Sequence, residues 1–281
     1  MSTGHGPLGL IFWQFALSAA LMGAATLARG RGLVLTRASL TFALVVATVG
    51  TLLPSITFYL SVERLPAGIM SILISAVPIL AFPMALALGQ DRLAPGRVLG
   101  LLCGLAGVLL IVGPDAALPD PAMAAWIPVA LLGPLLYAAE GNFVARFGMG
   151  GQDPFQAMAL TSLMGLVFAL PLALASGQLI NPRAAWGDAE WAFLAGGVVN
   201  ISTYAAYVWL AANAGAVFAA QMSYIVTASG LVWAGALLGE RPSPWVGLAL
   251  LFMLAGLFLV SPRERAAPGR TPERTPERTG A

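Results

Sequence analysis

Apolar residues run along this chain in stretches too long for the interior of a small soluble domain. Nine runs stand out, at about 7–29, 38–62, 66–89, 95–113, 122–147, 154–177, 188–212, 215–238 and 243–262. Roughly 20 residues at 1.5 Å rise cross the hydrocarbon of a bilayer, so runs of 18 or more predict membrane-spanning helices. Turn-forming clusters separate them, among them Arg29-Gly30-Arg31-Gly32, Gly89-Gln90-Asp91-Arg92, Gly113-Pro114-Asp115 and Gly239-Glu240-Arg241-Pro242. Lipid offers the backbone no hydrogen bonds, so only helices and closed barrels span it. Runs this continuous lack the alternation of barrel strands. The pattern predicts an all-α, polytopic transmembrane helical bundle.

Arginine placement predicts the orientation. Loops on one side carry Arg29, Arg31, Arg37, Arg92, Arg97, Arg146, Arg263 and Arg265; the other side carries Arg64, Arg183 and Arg241. The first side is expected in the cytoplasm, with the N-terminus outside and the C-terminus inside. The first run lacks a basic leader and exceeds the apolar length of a signal peptide. Residues 263–281 contain Thr271-Pro272-Glu273-Arg274 and then Thr275-Pro276-Glu277-Arg278, a polar repeat with no apolar face, and are expected to form a disordered cytoplasmic tail.

Composition sharpens the class. With 59% apolar and 9% charged residues, against about 25% charged in soluble domains, the chain is neither a soluble domain nor disordered. There is no Lys, and five of the 14 Arg lie in the tail. The basic density of a nucleic-acid face is missing. One Cys (Cys103) and one His (His5) make no disulfide and no metal cluster, and no cofactor is expected. No GxSxG elbow, Walker-type phosphate loop or HExxH occurs, so the chain is not expected to be an enzyme or to use ATP.

The chain repeats itself. Pro95 to Ile111 (PGRVLGLLCGLAGVLLI) and Pro244 to Val260 (PWVGLALLFMLAGLFLV) match at Pro, five Leu, Ala and Gly. Gln14 to Gly23 matches Gln156 to Gly165 at Gln, Leu, Met and Gly, and the turns at Gly89 and Gly239 correspond. Matched runs lie five apart. Five is odd, so the copies are expected upside down relative to each other, as in the inverted repeats of secondary transporters, with the solute site near the midplane. The expected units are residues 1–114, with four helices, and 122–262, with five.

A proline-containing helix, a Gly-Glu/Asp-Arg turn, a Pro and a Leu/Gly-rich helix ending Ala-Gly-x-x-Leu, occurring twice over Leu65 to Gly113 and Gly215 to Ser261, resembles the EamA-type transporters of the drug/metabolite transporter superfamily. The resemblance implies ten helices as two inverted five-helix repeats in a bacterial inner membrane, moving small metabolites such as amino acids, often outward. The four-plus-five pattern departs from it by the family's first helix. The competing expectation is a membrane subunit or membrane enzyme that shares the bundle.

Candidate pathway residues are polar groups inside spans. Glu140 is the one acid in the body of a run, about 8 Å past its middle at 1.5 Å per residue. An ionisable group there is expensive unless it faces water or a partner. It is a candidate for carrying a proton or holding an ammonium group; the alternative places it at the cytoplasmic interface or beside Arg146. The seventh and eighth runs carry Asn200, Tyr204, Tyr207, Gln221 and Tyr224. Asn200 and Tyr204 sit four apart, Tyr204 and Tyr207 three apart, and Gln221 and Tyr224 three apart, so each pair shares a helix face. Such aromatic and amide walls suit a small amphipathic solute, although interhelical hydrogen bonds use the same residue types. Gln14, Tyr59, Ser71 and Ser75 are the first-half candidates. Pro54, Pro78, Pro83, Pro134 and Pro171 interrupt backbone ladders inside spans. Gly100, Gly104 and Gly107 allow close helix approach.

Overall fold

The computed structural model describes residues 6–65, 70, 73–74, 76–112, 121–181, 187–223, 225, 229 and 245–260. Regular structure among them is helical throughout. The elements are α1 (Pro7–Ala28), α2 (Arg37–Val62), α3 (Val77–Ala87), α4 (Pro95–Val112), α5 (Ile127–Phe147), α6 (Pro154–Ala175), α7 (Asp188–Ala214), α8 (Ala216–Ala220) and α9 (Trp245–Leu259). Among the described residues, five helices are long and apolar enough to cross a membrane: α1, α2, α5, α6 and, within α7, Phe193–Ala214. Large apolar side chains point outward, with Phe258 82% exposed, as expected of helices facing lipid. Tyr224, Ser71, Ser75 and the tail 263–281 lie outside the described residues.

Local chemistry sets the helix ends. The Thr36 hydroxyl accepts from the Ser39 N–H while the Ser39 hydroxyl accepts from the Thr36 N–H, capping α2. Asp153 caps α6 in the same reciprocal way with Gln156. At the other ends, Gly148 (φ 67°) stops α5 and Gly215 (φ 95°) separates α7 from α8 as a single residue; backbone with φ this positive favours glycine.

Two of the predicted spans are interrupted. In the third run, Ala76 is a turn whose N–H bonds back only three residues, to the Leu73 carbonyl. Pro78 has no N–H for the Ile74 carbonyl, which accounts for this break. In the eighth run, α8 ends at Ala220, and the Gln221 N–H bonds back three residues to Phe218. No proline explains the second break. The two runs are partners in the repeat alignment.

The most extensive helix pairs join the two halves of the sequence: α1 with α6, and α4 with α9. The first pair runs antiparallel. The Leu8 N–H donates to Gln178 Oε1, Ser162 Oγ donates to Ser18 Oγ, and Arg31 pairs with Asp153. A Cβ on Gly165 would lie 2.2 Å from the Phe15 ring, so glycine is what admits that ring. In the second pair, a Cβ on Gly256 would lie 2.6 Å from the Gly100 carbonyl oxygen and 3.0 Å from the Gly104 nitrogen. Small residues let these backbones approach, as lipid-immersed helices require.

Candidate functional site

The site begins with Pro54. Proline carries no N–H, so the α-helical bond that residue 54 would donate to the Gly50 carbonyl cannot form. Around this gap α2 widens into a π turn, Thr48–Leu52, a feature often found at functional sites. Gly50 then faces α5 and α7 at close range. A Cβ there would stand 2.5 Å from Glu140 Cδ and 2.6 Å from Tyr204 Oη. The missing side chain is the space in which the other two meet. Tyr204 Oη lies 2.6 Å from Glu140 Oε1 and 3.2 Å from the Gly50 carbonyl oxygen.

Glu140 is fully buried, three residues past the middle of α5 and so about 4.5 Å along the axis. Among the described residues it has no ion-pair partner, and Arg146 is exposed. Its second oxygen, Oε2, is buried with no hydrogen-bond partner. Tyr207 stacks on Tyr204 with ring centroids 6.2 Å apart, and its hydroxyl lies 2.9 Å from where a Gly141 Cβ would stand.

Above this cluster is a cavity of about 450 Å³, within the range of small-molecule sites. Both sequence halves wall it. Gln14 comes from α1; Gly50, Thr51, Pro54, Ser55, Phe58 and Tyr59 from α2; Met70 and Ile74 from the third run; Ala130, Gly133, Pro134 and Tyr137 from α5; Asn200 and Tyr204 from α7; and Ser223 from the eighth run. These residues occupy the half of the bundle nearer Pro7, Val62 and Ile127. The Gln14 amide donates to Asn200 Oδ1 at 3.1 Å across it. A second hollow of about 200 Å³ shares Tyr137, Asn200 and Tyr204 and adds Tyr207.

Of the residues singled out in the sequence, Gln14, Tyr59, Asn200 and Tyr204 therefore share one cavity, Tyr207 lines the adjoining hollow, and Glu140 sits behind Tyr204 on the wall of neither. Gln221 was expected as a wall. It lines neither hollow; it is fully buried at the α8 break, both ends of its amide lacking a partner. The break turns its side chain into the packing rather than along a regular helix face. Gln156, the repeat partner of Gln14, is at the opposite end of its helix pair, donating to the Gly32 carbonyl. Gly50, Thr51, Ser55, Phe58 and Tyr137 were missed. Pro54, four residues after Gly50, was the available signal for the first, and Tyr137, three before Glu140, for the last.

Among the described residues, the other half of the bundle is tightly packed. Phe42, Val46, Val144, Met158, Val208 and Ala211 pack in one buried cluster below the tyrosines. Beyond it, Arg31 from the α1–α2 loop pairs with Asp153 at 2.7 Å, and Arg29 lies over the Phe155 ring. Gln90, after α3, donates to the Asn142 carbonyl, and the Asn142 amide donates to the carbonyls of Ala81 and Ala138. Among the described residues, no group of His, Cys, Asp or Glu is placed to hold a metal.

This architecture has known counterparts. A protein of known crystal structure superposes with a TM-score of 0.74 at 19% identity, covering 92% of this chain and 89% of its own. The uncharacterized protein PA1977 of Pseudomonas aeruginosa is 30% identical over 203 residues, 70% of this chain, and the match spans 66% of that protein's length. The model of the EamA-like transporter family, membrane transporters of the drug/metabolite kind, matches residues 1–113 and 124–261. Helices, both halves of the sequence and the family match agree: the chain belongs to the EamA-like transporter family.

Proposed function

We propose that this protein is a secondary transporter for small metabolites, amino acids or related amphipathic solutes, acting in export across a bacterial inner membrane. The observation that carries the reading is the 450 Å³ cavity between the sequence halves, walled by amides and aromatic rings, with a buried carboxyl behind its Tyr204 wall. Amides and hydroxyls suit the polar end of an amino-acid-like solute, and the rings of Phe58, Tyr59 and Tyr137 suit its apolar end. If the arginine-rich loops are cytoplasmic, the cavity opens to the outside and the cluster around Phe42 and Val208 closes the inside. The antiparallel pairing of α1 with α6, and the closeness of α4 to α9, support reading 1–114 and 122–262 as inverted repeats, and the interruption of both the third and the eighth runs, which the repeat alignment pairs, supports a site between them.

The test is counterflow of labelled amino acids in proteoliposomes, wild type against Asn200→Trp, which fills the cavity. Exchange in the wild type that falls at least tenfold in the variant supports the reading. Equal exchange by both places the pathway elsewhere, and no exchange by either across the amino acids points to a different solute class.

A further inference from the structure

Among the described residues, the Tyr204 hydroxyl is the hydrogen-bonding link between Glu140 and the cavity wall. The carboxyl lines neither hollow, and Tyr204 stands between it and the space where a solute would lie. An ammonium group in the cavity would meet the tyrosine and the Gln14–Asn200 amide pair before it met a carboxylate oxygen. The titratable groups facing Glu140 are phenols, Tyr137 on its own helix and Tyr204 and Tyr207 on α7. No arginine among the described residues pairs with it.

The protons can be counted. A phenol has one proton to donate, and a backbone carbonyl can only accept. Tyr204 Oη is within hydrogen-bond distance of both Glu140 Oε1 and the Gly50 carbonyl oxygen; the Thr51 hydroxyl also bonds it and, having a proton of its own, makes no claim on the phenol's. If the carboxyl were ionised, one hydroxyl proton would face two acceptors. One of them, the Gly50 carbonyl, already lacks the N–H that Pro54 cannot supply. If the carboxyl carries a proton, both of these contacts close: Glu140 donates to Tyr204 Oη, and Tyr204 donates to the Gly50 carbonyl, while Oε2 lacks a partner in either state. A neutral acid also removes the cost of an unpaired charge in the bundle interior.

The geometry points to Glu140 as a proton-binding site rather than a site for a solute's ammonium group, occupied while the cavity is open, with Tyr204 as the positioning residue that separates proton from solute. This rests on the transporter reading of the cavity. Release requires the Tyr204 hydroxyl to leave the Gly50 carbonyl. Water then reaches the carboxyl, the carboxyl O–H bond breaks with its electron pair staying on oxygen, and the proton passes to the water.

Infrared spectroscopy of the purified protein in lipid tests this without any solute, so its outcome is independent of transport. The wild type should show a protonated-carboxyl carbonyl band at neutral pH. Glu140→Gln should lose it, Glu140→Asp should retain it at a shifted frequency, and Tyr204→Phe should shift it by removing the acceptor. Added methylammonium should leave it in place. A neutral-pH spectrum of folded wild type with no Glu140-dependent band overturns the proposal, as does a band that methylammonium abolishes. Equal counterflow by wild type and Asn200→Trp with the band intact would overturn the reading of this cavity as the transport pathway and leave the proton site standing.

Discussion

Gly50→Ala should separate Glu140 from Tyr204 without touching either. The added carbon would lie 2.5 Å from Glu140 Cδ and 2.6 Å from Tyr204 Oη. Carbon atoms pack at about 3.5–4.0 Å, so the neighbours must retreat by about 1 Å. Overpacking of this kind costs about 1–3 kcal/mol, offset by about 1 kcal/mol of better helix propensity, for a net destabilisation of about 0–2 kcal/mol. Function should suffer more than stability. The 2.6 Å contact would open beyond hydrogen-bond range, and a lost bond worth roughly 1 kcal/mol slows a step that depends on it about fivefold. Gly23→Ala is the control, since nothing lies within 4 Å of its added carbon. It should match or slightly exceed wild-type stability and keep full flux. Thermal unfolding in detergent and counterflow in proteoliposomes read both quantities. Gly50→Ala that equals Gly23→Ala in both would refute the idea that the absent side chain brings the carboxyl and phenol together.

Two further outcomes follow from the packing and the caps. Burial pushes the Asp153 carboxyl up, but the N–H groups of Gln156 and Phe155 and the Arg31 guanidinium outweigh it and hold the group below the ordinary aspartate value. Its contribution is therefore full above the unfolded value of about 3.9 and is lost as pH falls through the lower folded value. The stability difference between wild type and Asp153→Ala, about 0.5–2 kcal/mol for a helix cap, should be flat from neutral pH down to about pH 4 and shrink below; a difference that changes between neutral pH and about pH 5 contradicts this. Gly256→Leu should push α9 off α4, since even a Cβ would sit 2.6 Å from the Gly100 carbonyl oxygen. The variant should lose cross-linking between cysteines placed on the two helices, and wild-type cross-linking efficiency would show that the glycine is not what sets the approach.

Much of the architecture was legible because hydropathy and length fix where a chain can cross lipid. The body of each long span, the Pro and Gly residues at their ends and the family pattern could all be read in order. Polar residues inside spans were equally visible, which is why Glu140, Tyr204, Asn200 and Gln14 stood out. Their pairing was not. Glu140 and Tyr204 are 64 residues apart, and no periodicity links one helix's face to another's. Gly50 carries no chemistry of its own and matters only for the volume it leaves. Gln14 and Gln156 show the limit of local similarity. Gln156 is three residues into a helix whose cap binds it, while Gln14 sits mid-helix and reaches across to Asn200. Gln221 looked like a wall residue on a regular helix, and the turn that ends α8 removes that regularity.

The pairing of α1 with α6 and of α4 with α9 has a consequence for how the protein is made. Each of these first-half helices finds its most extensive partner in a segment translated more than a hundred residues later. When residues 1–112 have entered the membrane, Gly9 still lacks the Gln178 carbonyl that fits against it, and the Gly100 surface still lacks Gly256. The early helices must wait in lipid with their small-residue seams open. A ribosome stalled before α6 therefore leaves an exposed surface suited to another polar or glycine-rich helix. Truncation after the first half should therefore yield a substrate for quality control rather than a half-size bundle.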